Sequence, residues 1–128
     1  MQKFVFDSSF LVGLICKEDI HHNLAALILE MITDTSHVFM VNELIYAETL
    51  TVVNYKIGRE WVKNLDIFLD QTITSFVKQT NMVYFDYFRA SGQKMSVFDL
   101  SVVYDAVLYC ARPLTFDNQL EKYRASVR

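Results

Sequence analysis

The sequence predicts an α/β fold with a mostly parallel sheet covered by helices on both faces. Three observations lead there. Short apolar runs alternate along the chain with segments of helical spacing, the pattern of strand–helix–strand units. There are only three Gly and one Pro in 128 residues, so connections are short and helices dominate. Two apolar runs end in an acid, Asp7 and Asp117, and parallel sheets of this kind form their sites beyond the carboxyl ends of the strands. With 52% apolar and 21% charged residues, one packed domain over residues 1–128 is expected and disorder is excluded.

The elements follow in order. Lys3 to Phe6 reads as a short buried strand, stopped by Asp7-Ser8-Ser9, three good helix N-caps, after which Phe10 to Ile15 continues as an apolar helix. His21 to Ile32 has helical spacing, with Leu24, Leu27, Ile28 and Met31 on one face. His37 to Val41 is a second strand, and Glu43 to Tyr55 a helix that ends before a turn at Gly58. Arg59 to Leu69 is a helix whose apolar side is Trp61, Leu65, Phe68 and Leu69. Gln71 to Val77, rich in Thr, Ile, Phe and Val, suits a strand. Asn81 to Ala90 is helical, Ser91-Gly92-Gln93 a loop, Asp99 to about Leu108 a helix, and Leu114 to Phe116 a last strand ending at Asp117.

Composition narrows the function classes. A net charge of −3 argues against a protein that grips long nucleic acid through its phosphates, yet suits an acidic site whose carboxylates are offset by bound cations. No apolar run approaches the ~18 residues of a membrane span. The opening Met1-Gln2-Lys3-Phe4-Val5-Phe6-Asp7 meets an acid too early for a signal peptide, so a cytoplasmic protein without membrane contact is expected. Cys16 and Cys110 sit in apolar surroundings and read as buried reduced thiols.

Four acids resist a bland reading. Glu48 has Leu44, Ile45, Thr51 and Val52 as its helical neighbours, which turns a carboxylate toward the core. Such a group needs a cation, a set of donors or a metal; a salt bridge to a distant Lys or Arg is the alternative. Asp99 and Asp7 could be plain N-caps, and Asp117 the start of a turn with Asn118. Converging carboxylates raise one another's pKa unless a cation lies between them. Mg²⁺ or Mn²⁺ prefers such hard oxygen ligands and can activate water against a phosphodiester.

These motifs resemble the PIN-domain family, and within it the VapC-type toxin ribonucleases, over nearly the whole chain. The motifs are Phe4-Val5-Phe6-Asp7-Ser8-Ser9; Glu48 within Asn42-Glu43-Leu44-Ile45-Tyr46-Ala47-Glu48; Ser96-Val97-Phe98-Asp99 with Ala106 seven residues on; and Leu114-Thr115-Phe116-Asp117, eighteen residues beyond Asp99. The resemblance implies a three-layer α/β/α fold, Mg²⁺ or Mn²⁺ as cofactor, and endonucleolytic cleavage of RNA. It implies Asp7, Glu48, Asp99 and Asp117 as catalytic, metal-binding acids, with Ser8 and Thr115 supporting them. It also implies an antitoxin protein as partner. Two features depart from the family: Asn42 or Glu43 stands where Pro often precedes the third helix, and the stretch from Ala106 to Thr115 lacks the usual Gly.

The same residues fit other families less well. A response receiver would want paired acids after the first strand and Lys after the last, and a haloacid-type phosphatase would want Asp where Ser9 stands. A non-catalytic metal- or protein-binding module, and an RNA-processing nuclease that is not a toxin, remain as alternatives. Asp105 competes with Asp99 for the third metal position. Asp99 is preferred for its place at a helix start and its spacing to Asp117, while Asp105, on a stripe with Ser101, suits the polar side of the helix. His21 and His22 read as exposed rather than as ligands. Arg112, Lys122, Arg124 and Arg128 read as a solvated charge run. Tyr46, Tyr55, Trp61, Tyr84 and Tyr87 exceed what a small core needs, which suggests a homodimer or antitoxin interface.

Overall fold

The alternation of strands and helices holds in the computed structural model, which describes residues 1–127. The order is β1 (Gln2–Phe6), α1 (Ser8–Ile15), α2 (His22–Thr33), β2 (His37–Val41) and α3 (Glu43–Lys56). A 3₁₀ turn (Arg59–Trp61) leads into α4 (Val62–Gln71). Then follow β3 (Ser75–Phe76), α5 (Asn81–Ser91), α6 (Val97–Leu108), β4 (Arg112–Leu114) and α7 (Asn118–Ser126). The four strands form one sheet in the order β3-β2-β1-β4, with every pairing parallel. The molecule is an α/β/α sandwich, as the alternation requires.

Aromatic rings fill the centre. Phe4 is in register with Phe39 on β2, and the rings of Phe6 and Phe39 stack at 5.0 Å. Phe10 of α1 and Phe68 of α4 close around Phe6. Leu100, Val102, Val103 and Ala106 of α6 are buried, as are Leu65 and Leu69 of α4. Strand order places the site. From β1 the chain moves one way to β2 and β3, then returns to the other side for β4, so the order reverses between β1 and β4. Ligand crevices in open parallel sheets form at such a switch point. The last rung of the β1–β4 ladder is the Asp7 amide donating to the Leu114 carbonyl at 3.0 Å.

Several elements depart from the sequence expectation. β3 covers only Ser75–Phe76 of the expected 71–77 run, because Ile73 takes a positive φ of 53° in the turn that ends α4. β4 is Arg112–Leu114, and Thr115 and Phe116 lie past its end, so Asp117 is the third residue beyond the strand. Lys122 and Arg124, read as part of a solvated charge run, lie on α7, a helix not expected from the sequence, which buries Leu120 against the core. Arg124 on it donates to the Ala106 carbonyl at 3.2 Å, while Arg112 is exposed beside Glu121; Arg128 lies outside the described residues. α2 is rotated from expectation: Leu24, Leu27 and Met31 are 50%, 52% and 64% exposed, and Ala25 is the residue that is fully buried. His21 and His22 are half-buried rather than exposed. The His21 ring stacks on Phe116 at 4.2 Å, and His22 Nδ1 lies 2.7 Å from the Gly13 carbonyl oxygen. Cys16 is buried as expected, but Cys110 is exposed, at a left-handed residue where α6 turns into β4. Of the surplus aromatics, Tyr84 belongs to the core and Tyr55 is fully outside it.

Candidate active site

Asp7 ends β1 and is buried to 2% exposure. It stands at the N-cap position of α1 but makes no capping bond, so the plain N-cap reading fails for it. Its carboxylate is held instead by hydroxyls. Thr115 donates to Oδ2 at 2.6 Å and Ser9 donates to the same oxygen at 2.9 Å. Oδ1 is buried without any hydrogen-bond partner among the described residues. The two hydroxyls are themselves fixed: Thr115 accepts from the Asp117 amide at 3.0 Å and Ser9 from the Phe116 amide at 3.0 Å. The backbone just past β4 is thereby tied to the carboxylate at the end of β1.

The other three acids come from three further elements. Glu48 sits half-buried on α3 and accepts from the Ser8 hydroxyl. Asp99 lies in the first turn of α6. Ser96, not Asp99, is the N-cap there, and its hydroxyl accepts from the Asp99 amide at 3.1 Å. The Asp99 side chain is therefore free of a capping role. Asp117 caps α7, accepting from the amides of Gln119 and Leu120 at 2.9 and 3.2 Å. None of the four acids takes part in a salt bridge among the described residues, so the ion pair that could have explained Glu48 is absent there.

Their charges press on one another. Asp99 is pushed up to about 6, first by burial and then by the charges of Asp7, Asp117 and Glu48, with the Ser96 hydrogen bond opposing. Burial pushes Asp7 up, against the pull of Thr115, Ser9 and the Ser8 backbone, and Asp117 adds to the push. Glu48 is raised by burial and by Asp7, with the Ser8 hydroxyl opposing. The four acids thus lie within electrostatic reach of one another at the switch point of the sheet, without a basic partner among the described residues. No three metal-ligating side chains among the described residues form a ready-made cage. Mg²⁺ does not need one, since it keeps several waters and binds through one or two carboxylates. The buried, partnerless Oδ1 of Asp7 is the atom that fits such an ion best.

Asp105 is resolved differently from its sequence reading. It is fully buried, as is Ser101, so their stripe is an inward face of α6 and not a polar one. Its carboxylate accepts from Asn42 Nδ2 at 2.9 Å and from the Tyr84 hydroxyl at 2.8 and 3.0 Å. It is not among the charges that act on Asp99.

A family model for the PIN domain matches residues 4–125. The chain belongs to the PIN-domain family. Among solved structures this PIN domain is similar to Mycobacterium tuberculosis VapC20, a sarcin-ricin-loop-cleaving toxin. The TM-score is 0.75 and the identity 15%, with 94% of each chain covered. It is also similar to a chain of VapBC2 from Rickettsia felis, a complex bound to a DNA fragment from its promoter. There the TM-score is 0.71 and the identity 16%, with 94% of this chain and 92% of that one covered. At these identities the likeness establishes the fold. A comparison with curated proteins gave no match.

Three residues of the site region escaped sequence reading. Ser9 shares the support of Asp7 with Thr115, and its signal was its place two residues after an acid, where local side-chain bonds form. Asn42 and Tyr84 showed no such signal, because their partners are 63 and 21 residues away.

Proposed function

We propose that this PIN domain is a metal-dependent endoribonuclease that hydrolyses RNA phosphodiester bonds and acts as the toxin of a toxin–antitoxin pair. The observation that supports it most is the convergence of Asp7, Glu48, Asp99 and Asp117 at the β1–β4 switch point, without a basic partner and with one carboxylate oxygen of Asp7 unsatisfied. Family membership supports the same reading. Asp7, Glu48, Asp99 and Asp117 would hold Mg²⁺ or Mn²⁺. The ion, when bound, supplies charge stabilisation for the phosphodiester and acidifies water.

The chain's own contribution is orientation. Thr115 and Ser9 fix Asp7 through Oδ2 and leave Oδ1 open. Ser8 turns Glu48 toward the same place. The α7 amides hold one oxygen of Asp117 and leave the other available. Ser96 takes the capping role at the start of α6, so the Asp99 carboxylate is left without one. RNA is the substrate in this reading, an antitoxin protein the partner and a homodimer the assembly. The exposed apolar side of α2 supports a protein partner.

The test is to incubate the pure protein with a mixed RNA pool, with Mg²⁺, with Mn²⁺ and with EDTA, and to sequence the new ends. New ends that require the metal are expected, and Asp99→Asn should reduce them to background while circular dichroism stays native. Undiminished cleavage in EDTA would refute metal dependence. Metal binding without any cleavage would favour a non-catalytic binding module.

A further inference from the structure

The buried cluster around Asp105 lies outside the four acids, yet it joins the helices that carry two of them. Asn42 is fully buried and does two jobs at once. Its side-chain oxygen accepts from the Ile45 amide at 2.8 Å, capping α3, and its Nδ2 donates to Asp105 at 2.9 Å and to Ser101 at 3.0 Å, both on α6. Tyr84 of α5 donates its one hydroxyl proton to Asp105, lying 2.8 and 3.0 Å from the two carboxylate oxygens. The carboxylate is fully buried and held by neutral donors among the described residues. A buried hydrogen-bonded set of this kind fixes the mutual orientation of the elements it joins.

Its placement says what is oriented. Glu48 stands six residues after Asn42 on α3, and Asp99 six residues before Asp105 on α6. Asn42 meets Asp105 where the two helices pack, and each acid lies ~9 Å along its own helix from that hydrogen bond. Because the capping amide and the inter-helix amide belong to one side chain, the first turn of α3 cannot rotate without breaking a bond to α6.

We propose that Asn42 and Asp105 form a positioning latch that sets Glu48 against Asp99. Its effect on ion binding rests on reading the four acids as the metal site. Partners that orient ligands from outside typically change metal affinity by about 10- to 100-fold.

Three variants test it, all with a good N-cap at residue 42. Asn42→Ser keeps the cap and removes the amide donor. Asn42→Asp keeps the cap and sets two carboxylates face to face. The pair Asn42→Asp with Asp105→Asn restores one donor and one acceptor in reversed order. Mn²⁺ affinity is measured by calorimetry on protein shown to be folded, and amide exchange across residues 43–48 is measured by mass spectrometry without metal. Both single variants should bind Mn²⁺ about tenfold or more weakly and exchange faster over that segment, and the reciprocal pair should recover both. A purely capping role would leave the single variants like the parent, and a purely steric one would leave the pair as impaired as they are; either result overturns the latch. Should Asn42→Asp fail to fold, Asn42→Ser decides. Should the parent bind no Mn²⁺, the metal-site reading falls, and exchange over residues 43–48 alone decides the latch.

Discussion

Asp117 serves two masters that pull in opposite directions. Its carboxylate caps α7 through the Gln119 and Leu120 amides, and its charge raises the protonation range of Asp7 and Asp99. Asparagine caps about as well as aspartate, and it carries no charge. Asp117→Asn should therefore melt at the same temperature as the parent or higher when metal is absent, whereas Asp117→Ala should lose about 1 kcal/mol with the cap. Thermal melts in EDTA compare the two, and a large loss from Asp117→Asn would mean that the repulsion is not felt. At this scale Glu48 could be singled out in sequence because it breaks an apolar helical face, whereas Asp7, Asp99 and Asp117 each fit a cap or turn and drew notice only as a set. What could not be read was the division of labour: Asp99 and Asp105 are both acids on one helix, and only the long-range partners Asn42 and Tyr84 show that the second is a buried acceptor.

Helix α2 shows how an element can be recognised while its orientation is misread. It is apolar nearly all round, so spacing alone allows Leu24, Leu27 and Met31 to be the inner face as readily as Ala25, Ile28, Leu29 and Ile32. Packing chose the second, because the small Ala25 lets α2 approach Gly13 of α1 closely. The same limit applied to β3, which lost most of its expected length to a left-handed turn at Ile73, and to α7, whose polar composition concealed a helix held by one buried leucine and a cap. The rotation of α2 has a direct consequence. Leu27→Lys should change stability by no more than about 0.5 kcal/mol, as surface substitutions do. Ala25→Leu should cost about 1–3 kcal/mol by overpacking the α1–α2 contact. Urea unfolding of both variants decides it; a costly Leu27→Lys beside a tolerated Ala25→Leu would reverse the inner and outer faces.

For the whole molecule, the parallel sheet and acids at its carboxyl edge followed from alternation, whereas the strand order that makes the switch point did not; the fold also buries acids, and burial first, with like charge second, should shape its stability. Asp99 and Asp105 are both held up to about 6 from an ordinary 3.8, and Asp7 and Glu48 are shifted the same way. Between about pH 4 and pH 6 the native state then binds more protons than the unfolded chain. Stability falls as pH rises through a range where the unfolded state holds fewer protons. In EDTA these acids should thus make the protein melt higher at pH 5 than at pH 7.5. Asp99→Asn should narrow that gap by removing one contributor, leaving the part due to Asp105. Saturating Mg²⁺ should narrow it from the other side by stabilising the native state at pH 7.5, by about 2.7 kcal/mol at a hundred times Kd. Melting curves at the two pH values, with and without Mg²⁺, test each step. A metal-free protein that gains stability from pH 5 to 7.5 and ignores Mg²⁺ would show that the burial and mutual repulsion of these carboxylates do not dominate the molecule.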